Sequence, residues 1–286
     1  MVTTIWAGLS VGALYSLVAI GYSLTYLGSG GFNFAQASFV VVGVYAAYLG
    51  LHHYGQSTLA TVVAGAGAVA VLAVLVERVA IAPVRSHESL LVTTVGAATL
   101  IDGVVERIAG DQALQVPFFG SDKAFTLFDG RLRPVDLVLI LVVPAIGIAL
   151  TVVSRRTLFG LAGLAQSADR DAARLYGINP RRYAYGSFIL AGLIAGGMGV
   201  IVAPKTSAYS TLGSALALKG FVALAFGGFG SFSGATIGGL VCGLVEAFAA
   251  HYLGVNYQVL AIFVLLLATL LVFPTGIFGR RRARAI

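Results

Sequence analysis

The sequence predicts an all-α polytopic membrane protein, a bundle of about eight or nine transmembrane or re-entrant helices with a short cytoplasmic helix. Of the 286 residues, 58% are hydrophobic and only 10% are charged, whereas soluble domains carry about one quarter charged residues. The 37 glycines are typical of membrane helices, because glycine lets helices approach closely. The apolar runs are continuous and near 20 residues long, which favours helices over the alternating strands of a membrane barrel.

Nine apolar runs follow one another along the chain. The first continues to Leu27 with no Lys or Arg in residues 1–10, so it is interpreted as a membrane helix and not as a signal peptide. Run 32–50 opens with GGFNFAQAS and run 214–230 is short, so either is expected to be broken or re-entrant. The remaining seven are ordinary spans, at 5–27, 57–80, 89–109, 134–153, 183–204, 234–253 and 256–273.

Basic residues set the orientation. Ten of the 18 Lys and Arg residues fall within 155–182 and 280–284, and membrane proteins gather such residues in cytoplasmic segments. We therefore expect a cytoplasmic loop at 154–182, a basic cytoplasmic tail at 279–286, and an outward loop at 110–133. On this count the N-terminus lies outside if run 32–50 crosses. Membrane topology explains the net charge of +7, so nucleic acid is not an expected partner.

An internal repeat is a further hypothesis. Segments 13–50 and 216–254 each hold an apolar run, a break with Gly and Ser, and a second apolar run that ends in Tyr-Leu-Gly. Paired broken segments in two halves of a chain are typical of a transport pathway. Apolar low complexity is the alternative explanation of the match.

The polar stretch QSADRDAARLYGINPRR, at 166–182, interrupts the apolar sequence. It predicts a helix of about ten residues with Ser167 as the N-cap, acidic residues in its first turn, and Gly177 just past its end. A narrow apolar stripe on one face suits docking into a groove of a partner protein; its residues are Ala165, Ala168, Ala172 and Leu175. The alternatives are a solvated loop helix and a helix lying on lipid headgroups.

Charged residues within the apolar runs are candidates for function, because they are expensive in lipid. Asp102 and Glu106 are expected near the outer interface, and Lys219 is expected to snorkel toward a headgroup region. Glu246 lies in the middle of a run and needs a partner. Helix packing is predicted at three glycines spaced four apart, Gly230, Gly234 and Gly238.

Other chemistry is not indicated by the sequence. No stretch reads G-x-x-x-x-G-K-[ST], and the nearest, Lys205-Thr206, follows Pro204. The histidines have no metal-ligand spacing and Cys242 is the only cysteine, so we expect no metal site, no cofactor and no enzymatic activity in this chain.

Several stretches resemble the branched-chain amino acid permease family of ABC importers, of the LivH and LivM type. They cover nearly the whole chain in order, and the length favours the LivH type. The stretches are GALYSLVAIGYSLTY (12–26), NFAQASFVVVGVYAAY (33–48), ADRDAARLYGIN (168–179), LKGFVALAFGGFGSFSGATIGGLVCGLVE (218–246) and FPTGIFG (273–279).

The resemblance implies a single permease domain over 1–286 in the bacterial cytoplasmic membrane, among membrane lipids. Its expected partners are two ABC ATPase subunits, which would hold ATP and Mg²⁺, a second permease that is a LivM-like paralogue, and an extracytoplasmic substrate-binding protein. The ATPases would dock on a coupling helix. Its residues in this chain are Ser167, Ala168, Asp169, Ala172, Ala173, Leu175 and Gly177.

The family's solutes are branched-chain amino acids, and related permeases carry urea, amides and other small molecules. Five uncharged polar residues could line the solute pathway or tie helices together: Asn33, Gln36, Ser38, Thr93 and Thr94. Two alternatives to an importer subunit stay open at this point. One is a secondary transporter or channel that works alone, and the other is a structural subunit of a membrane complex.

Overall fold

Eleven α-helices and one small β-hairpin make up the described part of the chain, which confirms the predicted all-α class. The computed structural model describes residues 1–84, 86–110, 112–116, 118, 120, 123–209 and 211–279. Residues 280–286 of the predicted basic tail lie outside the described residues. The helices are α1 (Val2–Ser29), α2 (Gln36–Tyr48), α3 (Thr58–Val76), α4 (His87–Ala109), α5 (Pro134–Arg156), α6 (Leu158–Ala168), α7 (Arg170–Leu175), α8 (Pro180–Thr206), α9 (Leu212–Gly227), α10 (Phe232–Tyr252) and α11 (Gln258–Val272). The strands are β1 (Phe125–Leu127) and β2 (Gly130–Leu132).

Seven helices in the described residues are long and apolar enough to cross a membrane. They are α1, α3, α4, α5, α8, α10 and α11, and they coincide with the seven runs predicted as ordinary spans. The two runs that were expected to be irregular hold the short helices α2 and α9, of 13 and 16 residues. A π-helical turn at Leu49–His53 lengthens α2, and another at Glu77–Ile81 lengthens α3.

The centre of the bundle is formed by α1, α8 and α10, each of which buries more than half of its apolar window. Glycine makes these contacts close. A Cβ on Gly243 of α10 would lie 2.3 Å from Gly12 of α1, and a Cβ on Gly199 of α8 would lie 2.1 Å from the carbonyl oxygen of Gly43 in α2. Backbones that approach this closely gain van der Waals contact, which is the main attraction between helices in lipid.

The rim is formed by α4, α5 and α11, whose apolar side chains are largely exposed. In a soluble protein such a surface would aggregate, but in a bilayer it contacts lipid tails. Exposed Leu and Val residues on these helices therefore meet hydrocarbon, as the composition predicts.

The two ends of the bundle differ. One end holds the connection from α5 to α8 with its cluster of arginines, and we assign it to the cytoplasm. The other end holds the β-hairpin, which turns through Phe128 and Asp129 with positive φ at both residues. Trp6 donates an indole hydrogen bond to the carbonyl of Leu127, so the start of α1 lies at the hairpin end. The N-terminus is therefore at the end opposite the arginine cluster, and its location outside the cell stays a prediction.

The run 32–50 crosses the bundle. Its first residues follow the cytoplasmic end of α1, and His52 lines an outer cavity together with Lys205 at the outer end of α8. The repeat hypothesis finds only partial correspondence, because α1 is long and α2 is short, whereas α9 is short and α10 is long.

Candidate functional site

The cytoplasmic segment between α5 and α8 is built from two helices with a break between them, and not from one. Helix α6 runs through Ser167 to Ala168, and the Ser167 hydroxyl donates to the carbonyl of Leu164 within that helix. Asp169 caps the six-residue helix α7, and its carboxylate accepts from the amides of Asp171 and Ala172 at 2.9 Å. The predictions of Ser167 as the cap and of a ten-residue helix are therefore wrong.

The end of α7 follows the sequence expectation. Gly177 adopts φ of +82°, and its amide donates to the carbonyl of Arg174. The next amide, of Ile178, donates to the carbonyl of Ala173, which completes a Schellman closure. Asn179 then accepts from the amides of Arg181 and Arg182 and so caps α8. The turn between the two helices is thus fixed by hydrogen bonds on both sides.

The exposed side chains of this segment differ from the predicted alanine stripe. Ala173 is only 3% exposed because it packs against the bundle. Leu175 and Tyr176 are 89% and 88% exposed and point away from it. The break after Ala168 also separates the stripe into two parts. Of the residues predicted for coupling, Leu175 is the apolar side chain most available to a partner. The neighbouring Tyr176 is equally exposed but was not among the predicted coupling residues.

Two side chains tie the segment to α1. Gln166 is buried, and its Nε2 donates to the carbonyl of Leu27 at 2.8 Å. Arg170 donates to the carbonyl of Gly28 at 3.2 Å. These carbonyls belong to the last turn of α1, which has no further amides to pair with. Partial burial lowers the pKa of Arg170 from its ordinary value.

The polar residues at the start of α2 are fully buried. Asn33 and Gln36 are at most 1% exposed, and the side-chain oxygen Oδ1 of Asn33 accepts a hydrogen bond from the amide of Ala35. Asn33 Nδ2 and Gln36 Oε1 have no hydrogen-bond partner among the described residues. Unpaired polar atoms at such depth are costly, so each is a group that a solute or water can satisfy.

The remaining predicted pathway residues are less available. Ser38 is buried beside the Asp102 carboxylate, and that carboxylate also lies against Gly213 in the first turn of α9. Thr93 and Thr94 both donate to carbonyls of their own helix, at Ser89 and Leu90. The two threonines thus satisfy themselves locally. Asp102 is only partly buried, and it contacts α9 in the turn that follows the outer end of α8.

A ring of hydrogen bonds links α1, α9 and α10 in the interior. Lys219 Nζ lies 2.6 Å from Glu246 Oε1 and 2.9 Å from the Tyr15 hydroxyl, and that hydroxyl donates to Glu246 Oε2. Lys219 therefore does not snorkel, and it is the partner that Glu246 requires. The sequence held a signal for this pair, namely two rare opposite charges in neighbouring apolar runs, but no rule of spacing joins residues of separate helices.

The outer end holds a second buried pair. Lys205 Nζ lies 2.6 Å from Asp136 Oδ1, which also accepts from the Ser10 hydroxyl at 2.6 Å. The pair joins α1, α5 and α8. Beside it is a cavity of about 630 Å³ with a mostly polar lining, formed by His52, Gln115, Val116, Phe118, Arg133, Pro204, Lys205 and Ser207.

The glycines predicted for helix packing lie on two kinds of structure. Gly234 and Gly238 belong to α10, and an added Cβ at either would lie within 2.2 Å of a carbonyl oxygen of α9. Gly230 is not helical. It lies in the connection from α9 to α10 with φ of +75°, so the predicted helical pattern of three glycines is wrong at its first position.

Among the described residues, no group of three or more His, Cys, Asp or Glu side chains is arranged to hold a metal ion.

The structure is a polytopic bundle with two short helices, polar groups in its interior, and a capped segment exposed at its arginine-rich end. Together these features define a membrane permease subunit. Residues 4–272 match the family model described as branched-chain amino acid transport system / permease component, and the chain belongs to this family. It is a multi-pass protein of the cytoplasmic membrane.

Its relatives are similar along nearly their whole length. The chain is 31% identical to the high-affinity branched-chain amino acid transport system permease protein LivH of Salmonella typhimurium, over 96% of this chain and 94% of the relative. It is 30% identical to BraD of Pseudomonas aeruginosa, with the same coverage. The probable LivH of Methanocaldococcus jannaschii is 29% identical, over 93% of this chain and 89% of its own. The predicted family resemblance is thus confirmed.

Proposed function

We propose that this chain is the membrane-spanning permease subunit of an ABC importer that moves branched-chain amino acids or a related small polar solute into the cell. Two separate ATPase subunits, which would hold ATP and Mg²⁺, power the movement from the cytoplasmic side. The family membership supports this class of function, since the related LivH and BraD proteins are named as branched-chain amino acid permeases.

The observation that carries the proposal is the exposed pair at the end of α7. Leu175 and Tyr176 are almost fully exposed at the arginine-rich end of the bundle. Exposed large apolar side chains of this kind mark sites of protein association. The Asp169 cap and the Gly177 closure hold the pair rigidly, so force applied to it is transmitted to the bundle.

The same segment explains how an external motor would move the bundle. When the ATPases bind ATP and close, they displace α6 and α7 together with the end of α1, to which Gln166 and Arg170 are bonded. The bundle then tilts from an inward-open toward an outward-open arrangement. Release of the hydrolysis products returns it.

Other partners follow from the membrane arrangement. A second permease, which we expect to be a paralogue of the LivM type, packs against this chain and completes the pathway. An extracytoplasmic binding protein delivers the solute to the outer end, near the cavity that Arg133 and Lys205 line. The uncharged, unpaired atoms of Asn33 and Gln36 suit a solute that both donates and accepts hydrogen bonds.

The experiment is reconstitution of the chain with its neighbouring gene products. We expect two ATPase subunits and a second permease to co-purify with it, and the binding protein to stimulate ATP hydrolysis. We call helices α6 and α7 together the docking segment. Ala172→Trp adds a bulky side chain to it, and we expect this variant to uncouple ATP hydrolysis from uptake without unfolding the bundle. Normal uptake by this variant, or a complex without ATPase subunits, would count against the proposal.

A secondary transporter is the alternative that the sequence left open. Such a carrier needs an interior carboxylate that exchanges a proton or sodium ion. Glu246 is the deepest candidate, and both of its oxygens are engaged by Lys219 and Tyr15. The geometry therefore favours the ABC-importer function.

A further inference from the structure

Six aromatic rings converge at the cytoplasmic half of the bundle, where helix α2 begins and helix α9 ends. The ring centroids of Phe32 lie 4.4 Å from Tyr22, 4.6 Å from Phe34 and 5.2 Å from Phe221. Phe229 continues the group toward Phe221 at 6.3 Å and toward Tyr26 at 5.6 Å. We name this set the aromatic cluster; its members are Tyr22, Tyr26, Phe32, Phe34, Phe221 and Phe229.

The aromatic cluster lies on an open face of the chain. Phe32, Phe34 and Phe221 are only half-buried. On the same side of α9, Ser214 and Leu218 are exposed, at the helical spacing that leads to Phe221. The non-helical backbone beside this face, at 30–35 and 228–231, is tolerated at membrane depth only where protein or a water-filled path covers it. Other residues of this chain bury much of that backbone, so the half-buried rings are the part of this region that the chain itself leaves open.

Two connections, which we call the arms, carry three of the rings and begin at glycines with left-handed backbone: residues 30–35 hold Phe32 and Phe34, and residues 228–231 hold Phe229. Gly30 precedes Phe32 with φ of +75°, and Gly228 precedes Phe229 with φ of +100°. Other residues adopt these angles only with strain. The arms can thus change direction at a point just before the rings, while α1 and α9 remain helical.

Each arm is also held from the cytoplasmic side. Gln166 and Arg170 bond to the carbonyls of Leu27 and Gly28, three and two residues before Gly30. On the other arm, the amides of Ile277 and Phe278 donate to the carbonyls of Phe226 and Gly227, immediately before Gly228. If the segment that holds Gln166 and Arg170 moves, the movement reaches the chain next to Gly30. If residues 277–278 move, it reaches the chain next to Gly228.

We propose that the aromatic cluster is the cytoplasmic gate of the solute pathway, and that Gln166 and Arg170 are positioning residues that link this gate to the ATPase-docking segment. The proposal rests on the proposed importer function. Tyr22 is fully buried, and it supports the half-buried Phe32 ring from the protein interior. A hydrophobic constriction of this kind blocks water and polar solutes because it does not stay wetted.

The first test measures leakage through the complete transporter in proteoliposomes without ATP, with radiolabelled leucine as the probe. Phe34→Ala and Phe221→Ala are expected to raise passive leucine efflux at least several-fold. Phe248→Ala is the matched control, because this half-buried ring of α10 stacks on Tyr252 outside the cluster. Equal efflux in the unsubstituted transporter and in both cluster variants would overturn the gate.

A second measurement guards against loss of folding in these variants. In a Cys242→Ala background, Phe34→Cys combined with Phe221→Cys can be joined by a short bifunctional maleimide, since the two rings lie 6.4 Å apart. Cross-linking is expected to abolish leucine uptake in protein that retains it before treatment. Uptake that persists after complete cross-linking would also overturn the gate.

The link to the docking segment is tested by the leucine transported per ATP hydrolysed. Arg170→Met and Gln166→Leu are expected to lower this ratio several-fold while ATP hydrolysis continues, and Arg182→Met, an exposed arginine of α8, is expected to leave it unchanged. A merely structural role would lower hydrolysis and transport together. A transporter that takes up leucine normally per ATP in both variants would refute the link. Absence of ATP-driven uptake of leucine, of other branched-chain amino acids, and of urea and amides in the unsubstituted protein would count against the proposed function alone.

Discussion

Lys219 Nζ lies 2.6 Å from Glu246 Oε1, and this ion pair joins α9 to α10 within the membrane part of the bundle. Tyr15 of α1 completes a ring of three hydrogen bonds around the two charges. The pair helps to fix the height of α9 along the two long helices. The Tyr22 hydroxyl, which donates to the carbonyl of Ala217, and the amides of Ile277 and Phe278, which donate to the last residues of α9, hold it as well. That height determines where Phe221 meets the other rings of the aromatic cluster.

The pair predicts that either single replacement is worse than both together. Lys219→Met or Glu246→Gln leaves an unpaired charge in a low-dielectric interior, and such changes cost about 3–5 kcal/mol. We expect each to lower the thermal unfolding temperature of the detergent-solubilised protein. The double variant removes both charges and should recover more than half of the loss.

The matching control is Tyr15→Phe, which removes one hydroxyl but leaves the ion pair. It should lower the free energy of unfolding by about 1.5–3 kcal/mol. If the double variant were as unstable as the sum of the two single ones, the coupling inferred from the geometry would be refuted.

Close helix contact predicts a second, sharply local effect. A Cβ on Gly199 would lie 2.1 Å from the carbonyl oxygen of Gly43, so Gly199→Ala must push α8 and α2 apart. Overpacking of this kind costs about 1–3 kcal/mol. Gly197 is two residues away on the same helix, and its nearest neighbour would be 3.7 Å from an added Cβ.

Thermal unfolding of the two alanine variants measures the difference. Gly199→Ala is expected to unfold at a clearly lower temperature than the unsubstituted protein, while Gly197→Ala stays close to it. Equal unfolding temperatures for the two variants would contradict the close approach of α8 and α2.

Much of the fold was accessible from the sequence because the bilayer imposes a simple length rule. Continuous apolar runs identified the seven long spans. The polar opening of 32–50 and the shortness of 214–230 identified the two short helices. The basic residues identified the cytoplasmic end. These features depend on local composition, which a sequence displays directly.

The candidate site was less accessible because it depends on contacts between distant residues. Ser167 and Asp169 are both good caps by residue type, and local rules do not choose between them. The tether of Gln166 to α1 keeps α6 helical through Ser167, so Asp169 becomes the cap. The aromatic cluster likewise joins Phe32 to Phe221, which are far apart in the sequence.

The docking segment predicts a charge-sensitive contact with the ATPases. Tyr176→Asp places a carboxylate on an exposed apolar side chain, so the unfolding temperature should stay unchanged. Burial of that carboxylate against a partner is unfavourable, and ATPase subunits should be lost during purification. Tyr54→Asp is the control, since Tyr54 is an exposed tyrosine at the outer end and its replacement should retain them. Equal ATPase recovery with both variants would exclude Tyr176 from the contact.

The orientation predicts which residues a membrane-impermeant maleimide reaches. Cys242 is buried and is the only cysteine, so a Cys242→Ala background is free of thiols. Phe128→Cys, at the tip of the hairpin, should be labelled in intact spheroplasts because it faces outward. Tyr176→Cys should be labelled only after permeabilisation, because the arginine-rich end faces the cytoplasm. The reverse pattern would show that the bundle is inserted in the opposite orientation, with the docking segment on the side without ATP.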